Sequence, residues 1–233
     1  MNLLREALDY LLGGPKVGGH DEERLRRWLA LPAAPLALLH ARARYVVIAT
    51  ETSGPGGRRE RLLAIDAVAV ARTQIDLASC FTAVLRRERA TGDADILRHG
   101  IGGQAQHGGV EPHVALLGFL EFLGKSPLVA FGPHPTRIPI ERAVKAILGV
   151  SFRHPWIDLA VLLPALYPEA GCTTLREWLD RCGLQEGRLH AEQPGAIVMA
   201  QLLQVALDAA TRAGMVNAWQ LVECQRARLS DGS

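Results

Sequence analysis

The chain has 233 residues, of which 48% are hydrophobic and 21% are charged, a composition typical of a globular protein and not of a disordered one. Its 26 Lys and Arg residues are nearly balanced by 24 Asp and Glu residues, which leaves a formal net charge of +2. Because so weak an overall field cannot steer a polyanion strongly, nucleic acid would have to be bound by a local basic patch.

Cysteine usage and hydropathy indicate the cellular compartment of the protein. The four cysteines show no CxxC spacing, which argues against a zinc site. Charged residues interrupt the apolar stretch at residues 1–12, so it lacks the core of a signal peptide. No segment has the length and apolarity of a membrane span. These features predict a cytoplasmic protein with reduced thiols and no membrane partner.

Residues 1–43 predict an N-terminal helical arm. Helical spacing of leucines indicates one short helix at residues 1–12, and Asp21 can cap a second at residues 22–31. The apolar face of the arm comprises Leu4, Leu8, Leu11, Trp28 and Leu29. Since such a stripe would be a large apolar patch in water, we expect it to dock on the main domain, on a second copy of the chain or on a protein partner.

From residue 44 the pattern changes to alternating and β-branched runs, which predict strands. The expected strands are residues 45–49, 62–70, 75–85, 128–131 and a short fifth strand ending at residue 157. Residues 52–57 are rich in Gly, Ser and Pro and predict a turn.

Helical periodicity follows the first three strands. The expected helices are residues 112–123, 140–148, 159–166, 175–182 and 196–213, with Asp158 as the N-cap of the third. This order predicts an α/β fold: a mixed five-stranded sheet, with a three-stranded antiparallel meander followed by parallel strands, and helices on both faces. The main domain is expected at residues 44–213, followed by a C-terminal tail at residues 214–233.

Three short segments bear most directly on function. Residues 45–54 have the sequence Tyr-Val-Val-Ile-Ala-Thr-Glu-Thr-Ser-Gly, residues 131–136 have Phe-Gly-Pro-His-Pro-Thr, and residues 189–196 have Leu-His-Ala-Glu-Gln-Pro-Gly-Ala. Weaker motifs occur at residues 63–68, 99–101, 127–130 and 156–158. In order and spacing, these segments resemble the motifs of the DnaQ-like, DEDD-type 3′-5′ exonuclease family, which has an RNase H-like fold.

The resemblance implies a mechanism in which four carboxylates hold two divalent metal ions and a histidine helps to deprotonate the attacking water. At the four carboxylate positions this chain has Ala49, Glu51, Thr136 and Gly195, and His190 stands at the histidine position. Hard divalent cations need anionic oxygen ligands. With about three negative charges missing, we expect weak or no metal binding at Glu51.

The retained polar residues also have structural interpretations. Glu51 can be a surface residue at the end of a strand, His190 can be buried or cap the closing helix, and Asp158 can be a helix cap. Other carboxylates would replace the missing ligands only if they converged on one point. These are Asp66, Glu141 and Glu192.

Nucleic-acid contacts are expected next to the first motif. The residues concerned are Thr52, Ser53, Arg58, Arg59 and Arg61. A second basic run lies at residues 86–89. Arginine is suited to phosphate contacts, but Glu60 and Glu88 interrupt the two runs, and charges at strand ends are also typical of solvated turns. With 5% aromatic residues the chain offers no evident platform for stacking bases.

These observations favour a catalytically degenerate exonuclease-fold protein that binds single-stranded nucleic acid weakly, or a protein partner, and needs no cofactor. One alternative is an active 3′-5′ exonuclease for single-stranded DNA or RNA, which would require Mg²⁺ or Mn²⁺. A second alternative is a regulatory subunit that makes no contact with nucleic acid.

Overall fold

A computed structural model describes residues 16–54, 60–132, 136–184 and 195–231 of the chain. Five strands form one sheet in the order β3-β2-β1-β4-β5. They are β1 (Arg44–Ser53), β2 (Arg61–Ala71), β3 (Gln74–Val84), β4 (Leu128–Ala130) and β5 (Trp156–Asp158). The first three are antiparallel, and β4 and β5 run parallel to β1. The predicted mixed α/β sheet is confirmed.

Helices precede, connect and follow the strands. They are α1 (Gly19–Leu29), α2 (Asp93–His99), α3 (Gly103–His107), α4 (Pro112–Leu123), α5 (Arg137–Ala143, continued by a π-turn at Val144–Leu148), α6 (Leu159–Leu166), α7 (Leu175–Arg181), α8 (Ala196–Arg212) and α9 (Ala218–Asp231). A short 3₁₀ turn at Pro168–Ala170 joins α6 to α7. No helix in these ranges is long and apolar enough to cross a membrane.

The centre of the sheet is buried on both faces. Because side chains alternate along a strand, Val46 and Ile48 of β1 pack in one core with α1, α4 and α5. Tyr45 and Val47 pack in a second core with α6, α7, α8 and α9. The two faces explain why the middle of β1 is a continuous apolar run and not an alternating one.

The second helix of the predicted arm packs on the rest of the fold, which is one of the docking arrangements that the sequence leaves open. Leu25 and Trp28 of α1 are buried, and α1 packs against α4. The Trp28 Nε1–H donates a hydrogen bond to the carbonyl oxygen of Gly124 at 2.8 Å, and Leu29 is partly buried against the same core. The leucines of residues 1–12 lie outside the described residues, so their docking stays a prediction.

Two segments differ from the sequence-based expectation. Thr52 and Ser53 were expected in a turn, but they extend β1 by pairing with Leu62 and Arg61 of β2; here ladder pairing overrides turn-forming composition. Residues 214–233 were expected to form a tail, but α9 occupies most of them and packs on β5 and α6, with Leu221 fully buried.

Strand β3 is the outer strand on one side of the sheet. Its pairing with β2 is interrupted by a bulge, because Val68 pairs with Cys80 whereas the next residue, Ala69, pairs with Asp76. Residues 77–79 therefore leave the ladder, and Leu77 is 67% exposed.

Candidate functional site

The first motif lies at the end of β1 on the face covered by α8. Ala49 and Glu51 are two residues apart on a strand, so both point to this face. Ala49 packs against the core beneath α8 and is paired with Asp66 of β2. Glu51 is half-buried, two residue pairs closer to the strand end, opposite Ala64.

The third motif meets the first through Asp66. Gly195 is the N-cap of α8 and has no side chain with which to cap it. Instead, Asp66 Oδ2 accepts a hydrogen bond from the backbone N–H of Ala196 at 2.9 Å, and its Oδ1 accepts one from the Thr82 hydroxyl at 3.1 Å. An acidic group is favourable here because the first N–H groups of a helix lack partners and carry partial positive charge.

The space next to Gly195 is occupied by the same carboxylate. A Cβ atom built on Gly195 would lie 3.2 Å from Asp66 Oδ2. The structure thus places Ala49 and Gly195, two of the positions that are acidic in the resembled family, on either side of Asp66. The sequence analysis considers Asp66 only as a substitute ligand that would have to converge on the site, and it does not predict that Asp66 holds α8.

Thr136 begins α5 and is 4% exposed. Strand β4 is parallel to β1, so its C-terminal end lies at the same edge of the sheet as Ala49. Helix α5 then packs in the core on the other face, through Ile140 and Val144. The convergence of Thr136 with Glu51 stays a prediction.

Several predicted site residues lie outside the described ranges. They are His190, Glu192, Arg58 and Arg59. The catalytic role expected for His190 and the nucleic-acid contacts expected for the two arginines are therefore also predictions.

Asp158 is the N-cap of α6, as its sequence position predicts. Its Oδ1 accepts hydrogen bonds from the N–H groups of Ala160, at 2.9 Å, and Gly132, at 2.7 Å. Burial raises the pKa of the Asp158 carboxyl above its ordinary value, although these two hydrogen bonds act in the opposite direction. Asp158 therefore joins the ends of β4 and β5 to α6.

Glu141 is engaged on the surface of its own helix. It forms an ion pair with Arg137 one turn earlier, at 2.8 Å between Arg137 Nε and Glu141 Oε1. This agrees with the interpretation of Glu141 as a solvated surface residue.

The residues predicted to contact nucleic acid differ in exposure. Thr52 is buried, and its hydroxyl donates to Glu60 Oε1 at 2.6 Å. Ser53 is half-buried, and its Oγ accepts from the Arg61 backbone N–H at 3.1 Å. The Arg61 side chain is exposed at the strand end. Its Nη1 donates a hydrogen bond to the Glu60 carbonyl oxygen at 3.4 Å.

Helix α2, which the sequence analysis does not predict, holds the end of β1. Arg98 Nη2 donates to the Thr52 carbonyl oxygen and to Asp95 Oδ1, both at 3.0 Å. Asp95 Oδ1 also accepts from the Gly54 N–H at 3.2 Å. The hydrogen bond from Arg98 lowers the pKa of the Asp95 carboxyl. These contacts fix the backbone that follows Glu51.

The acidic groups of the described residues do not fit a two-metal site. Two dications repel one another and require several anionic oxygens. Ala49 and Gly195 supply no side-chain oxygen, and both oxygens of Asp66 already accept hydrogen bonds from protein groups. The described ranges contain no group of three or more His, Cys, Asp or Glu residues that could hold a metal ion.

The fold has clear structural relatives, although no family model and no curated protein sequence matches the chain. Cell-death related nuclease 4 (CRN-4) has a TM-score of 0.62 and 14% identity, over 73% of this chain and 66% of that one. Exonuclease X in complex with 5′ overhanging duplex DNA has a TM-score of 0.56 and 17% identity, over 78% of this chain and 99% of that one.

A third solved structure is the nuclease domain of 3′hExo, described as a DEDDh family member bound to rAMP. It has a TM-score of 0.59 and 14% identity, over 76% of this chain and 96% of that one. The three structures share the DnaQ-like, RNase H-like exonuclease fold, and the chain has this fold. The resemblance drawn from the short sequence motifs is therefore confirmed at the level of the fold.

Proposed function

We propose that the chain is a nuclease-inactive protein that uses an exonuclease fold to bind single-stranded nucleic acid. The observation that carries the proposal is the contact between Asp66 and the N-terminus of α8. At the place where the resemblance implies carboxylates facing metal ions, a carboxylate faces a backbone N–H, between Ala49 and Gly195.

The missing metal ligands matter because they would hold the metal ions that make the main contribution to catalysis. Metal ions neutralise the charge that develops on the attacking and leaving oxygens of a phosphodiester. His190 alone would not compensate, since general-base assistance contributes on the order of 10²- to 10⁴-fold, far below the acceleration that slow phosphate-ester hydrolysis requires.

Two observations support binding of nucleic acid. The related exonuclease X structure contains duplex DNA, and the related 3′hExo structure contains rAMP. In this chain, an arginine at the same edge of the sheet as Glu51, Arg61, is exposed to solvent. A guanidinium group there is suited to a phosphate oxygen.

Nuclease activity is tested with purified protein, single-stranded DNA or RNA, and Mg²⁺ or Mn²⁺. We expect no more turnover than that of a Glu51→Ala, His190→Ala double variant prepared in parallel. Turnover that disappears in the double variant would identify the protein as an active metal-dependent exonuclease.

Binding is tested by titrating a labelled single-stranded oligonucleotide at several salt concentrations. We expect saturable binding that weakens as salt increases, because each phosphate contact releases condensed counterions. Absence of binding at the lowest salt concentration would instead favour a regulatory subunit that makes no contact with nucleic acid.

A further inference from the structure

The segment that follows β3 is basic and surrounds an open pocket. Arg86, Arg87, Glu88 and Arg89 line a depression of about 430 Å³. Arg86 and Arg89 are exposed, and Arg87 is half-buried. The pocket is shaped mainly by long cationic side chains, which suits an anionic ligand that remains partly in solvent.

The backbone of this segment is fixed by hydrogen bonds to α3 and to the residues that follow it. The Arg86 N–H donates to the Val110 carbonyl oxygen at 2.7 Å, and the Arg87 N–H donates to the Gln106 carbonyl oxygen at 2.8 Å. Gly109 allows this approach, because a Cβ there would lie 2.6 Å from the Val84 carbonyl oxygen. The arginines therefore extend from an ordered backbone.

A buried polar cluster holds the other end of the segment. The Gln106 side chain is fully buried and bonds to Thr91 twice, accepting from its N–H at 3.0 Å and donating to its Oγ1 at 2.9 Å. Buried His99 also contacts Thr91 Oγ1, through Nε2 at 3.0 Å. With residues 86, 87 and 91 anchored, the segment presents its side chains in a defined arrangement.

The cationic groups are only partly neutralised. Arg86 forms an ion pair with Glu111 at 2.6 Å, but Arg87 and Arg89 make no ion pair with any residue of the described ranges. Arg87 Nε is buried and has no hydrogen-bond partner there. A buried donor without a partner is unfavourable, and the rest of the Arg87 guanidinium group, which lines the pocket, is suited to an anionic oxygen.

The pocket lies at the same edge of the sheet as the degenerate site. Glu51 pairs with Ala64, and Ala64 pairs with Val84, two residues before Arg86. Strand β1, which carries Glu51, is therefore two strand spacings, about 10 Å, from β3, which leads into the basic segment. A short oligonucleotide can reach both.

We propose that Arg86, Arg87 and Arg89 form a phosphate-binding site for the backbone of a single strand that runs along this edge of the sheet, past Arg61 to Glu51. The inference rests on the proposed function and makes it more specific, since it names the residues that contact the phosphates. Contacts of this kind hold a strand without regard to its sequence.

The test compares two variants of the full chain that lose the same charge. One carries Arg86→Gln, Arg87→Gln and Arg89→Gln. The control carries substitutions of three exposed arginines at the opposite end of β1, one of which is also ion-paired, as Arg86 is. These are Arg42→Gln, Arg72→Gln and Arg212→Gln. The ten residues of β1 separate the two sets by about 33 Å, several screening lengths at moderate salt.

We expect the first variant to bind a labelled oligothymidylate roughly 10- to 100-fold more weakly than the wild type at about 0.1 M salt. The plot of log affinity against log salt should become shallower by about 2, because each lost single-strand phosphate contact removes about 0.7 from the slope. The control should keep the wild-type affinity and slope.

The other possible outcomes would reject this inference, and one of them would also reject the proposed function. If the wild type binds but the first variant keeps its slope, the phosphate contacts lie elsewhere and the inference fails while the proposed function survives. If the wild type does not bind, both fail. If inorganic phosphate displaces the oligonucleotide at an equal concentration of phosphate groups, the pocket is a site for small anions and not for a strand.

Folding of the variants is checked by urea unfolding. Should the triple variant unfold, the single variants Arg87→Gln and Arg89→Gln replace it, each with an expected change in slope of about 0.7. An unchanged slope in both would reject the site.

Discussion

Two carboxylates hold helix N-termini at the same edge of the sheet, and they do so in different ways. Asp158 directly precedes α6 and accepts from an N–H only two residues later. Asp66 lies in the middle of β2 and accepts from the first N–H of α8, 130 residues later in the chain. The junction of β5 with α6 is thus closed locally, whereas the junction of β2 with α8 depends on the tertiary fold.

The difference shows how the start of α8 is held in place. The resemblance to the exonuclease family implies that acidic residues near the start of α8 would hold metal ions. In this chain the carboxylate of Asp66 connects β2 directly to α8 through a hydrogen bond. The Asp158 junction serves as an internal reference, because it is an ordinary capped helix start.

The largest effect is expected at the local junction. Asp158→Ala leaves the N–H groups of Gly132 and Ala160 without their acceptor, and should lower the free energy of unfolding by about 2 kcal/mol. Asp158→Asn keeps an acceptor oxygen and should cost less. Urea unfolding measures both. Equal losses in the two variants would show that the charge, and not the hydrogen bonds, stabilises this junction.

A smaller effect is expected at the long-range junction. Asp66→Ala removes the acceptor of the Ala196 N–H, and because this carboxylate is partly exposed the loss should be about 1 kcal/mol. Thr82→Val is the matched control, since it removes the other partner of Asp66 and leaves the contact with α8. If Asp66→Ala is no less stable than the control in urea, the carboxylate does not hold the helix.

An acidic side chain at position 195 should be repelled by the carboxylate of Asp66. Gly195→Asp places a second negative group next to Asp66 Oδ2, and we expect a loss of about 0.5 kcal/mol despite the better capping residue. In an Asp66→Asn background the same change should be neutral or stabilising. Mn²⁺ should raise the thermal midpoint of Gly195→Asp but not that of the wild type; equal shifts in both proteins would mean that the ion binds elsewhere.

The smallest effect concerns pH. Burial raises the pKa of Asp158 above 3.8, so the folded protein binds this proton more tightly than the unfolded chain does. The contribution of the group to stability is therefore fully present below the ordinary pKa and is lost as pH rises through the folded-state value. Relative to Asp158→Asn, the wild type should gain stability as the pH falls toward 3.8. A difference in urea midpoint that stays constant or shrinks over this range would contradict the assignment.

Local sequence patterns were sufficient to predict most of the fold. The predicted bounds of α4 and α6 agree with the structure, because each helix begins at a Pro or follows a capping Asp and ends before a break in the apolar pattern. Helices α2 and α3 were missed, since they have only seven and five residues and no extended apolar stripe. Helix α9 was missed because its burial depends on contacts with β5 and α6.

The contacts of the candidate site were not predictable from the sequence. Ala49 pairs with Asp66 in the sheet, and Gly195 lies next to the same carboxylate, while the convergence of Thr136 and His190 with Glu51 stays a prediction. That Asp66 would bind the α8 N-terminus requires knowing which strand lies beneath which helix, and a sequence pattern does not contain this information. The polar cluster around Gln106 likewise joins α3 to Thr91, which precedes α2, and to Ile101, which follows α2.

The bulge in β3 bears on how the protein avoids aggregation. An exposed outer strand offers unpaired backbone groups to a neighbouring molecule, and a long regular one is a template for edge-to-edge pairing. Here residues 77–79 interrupt the ladder, and Asp76 Oδ1 accepts the N–H of Ala78 at 3.2 Å, so part of the backbone is used within the strand itself. A second chain could pair only with the short pieces on either side of the bulge, which disfavours pairing of two chains through β3.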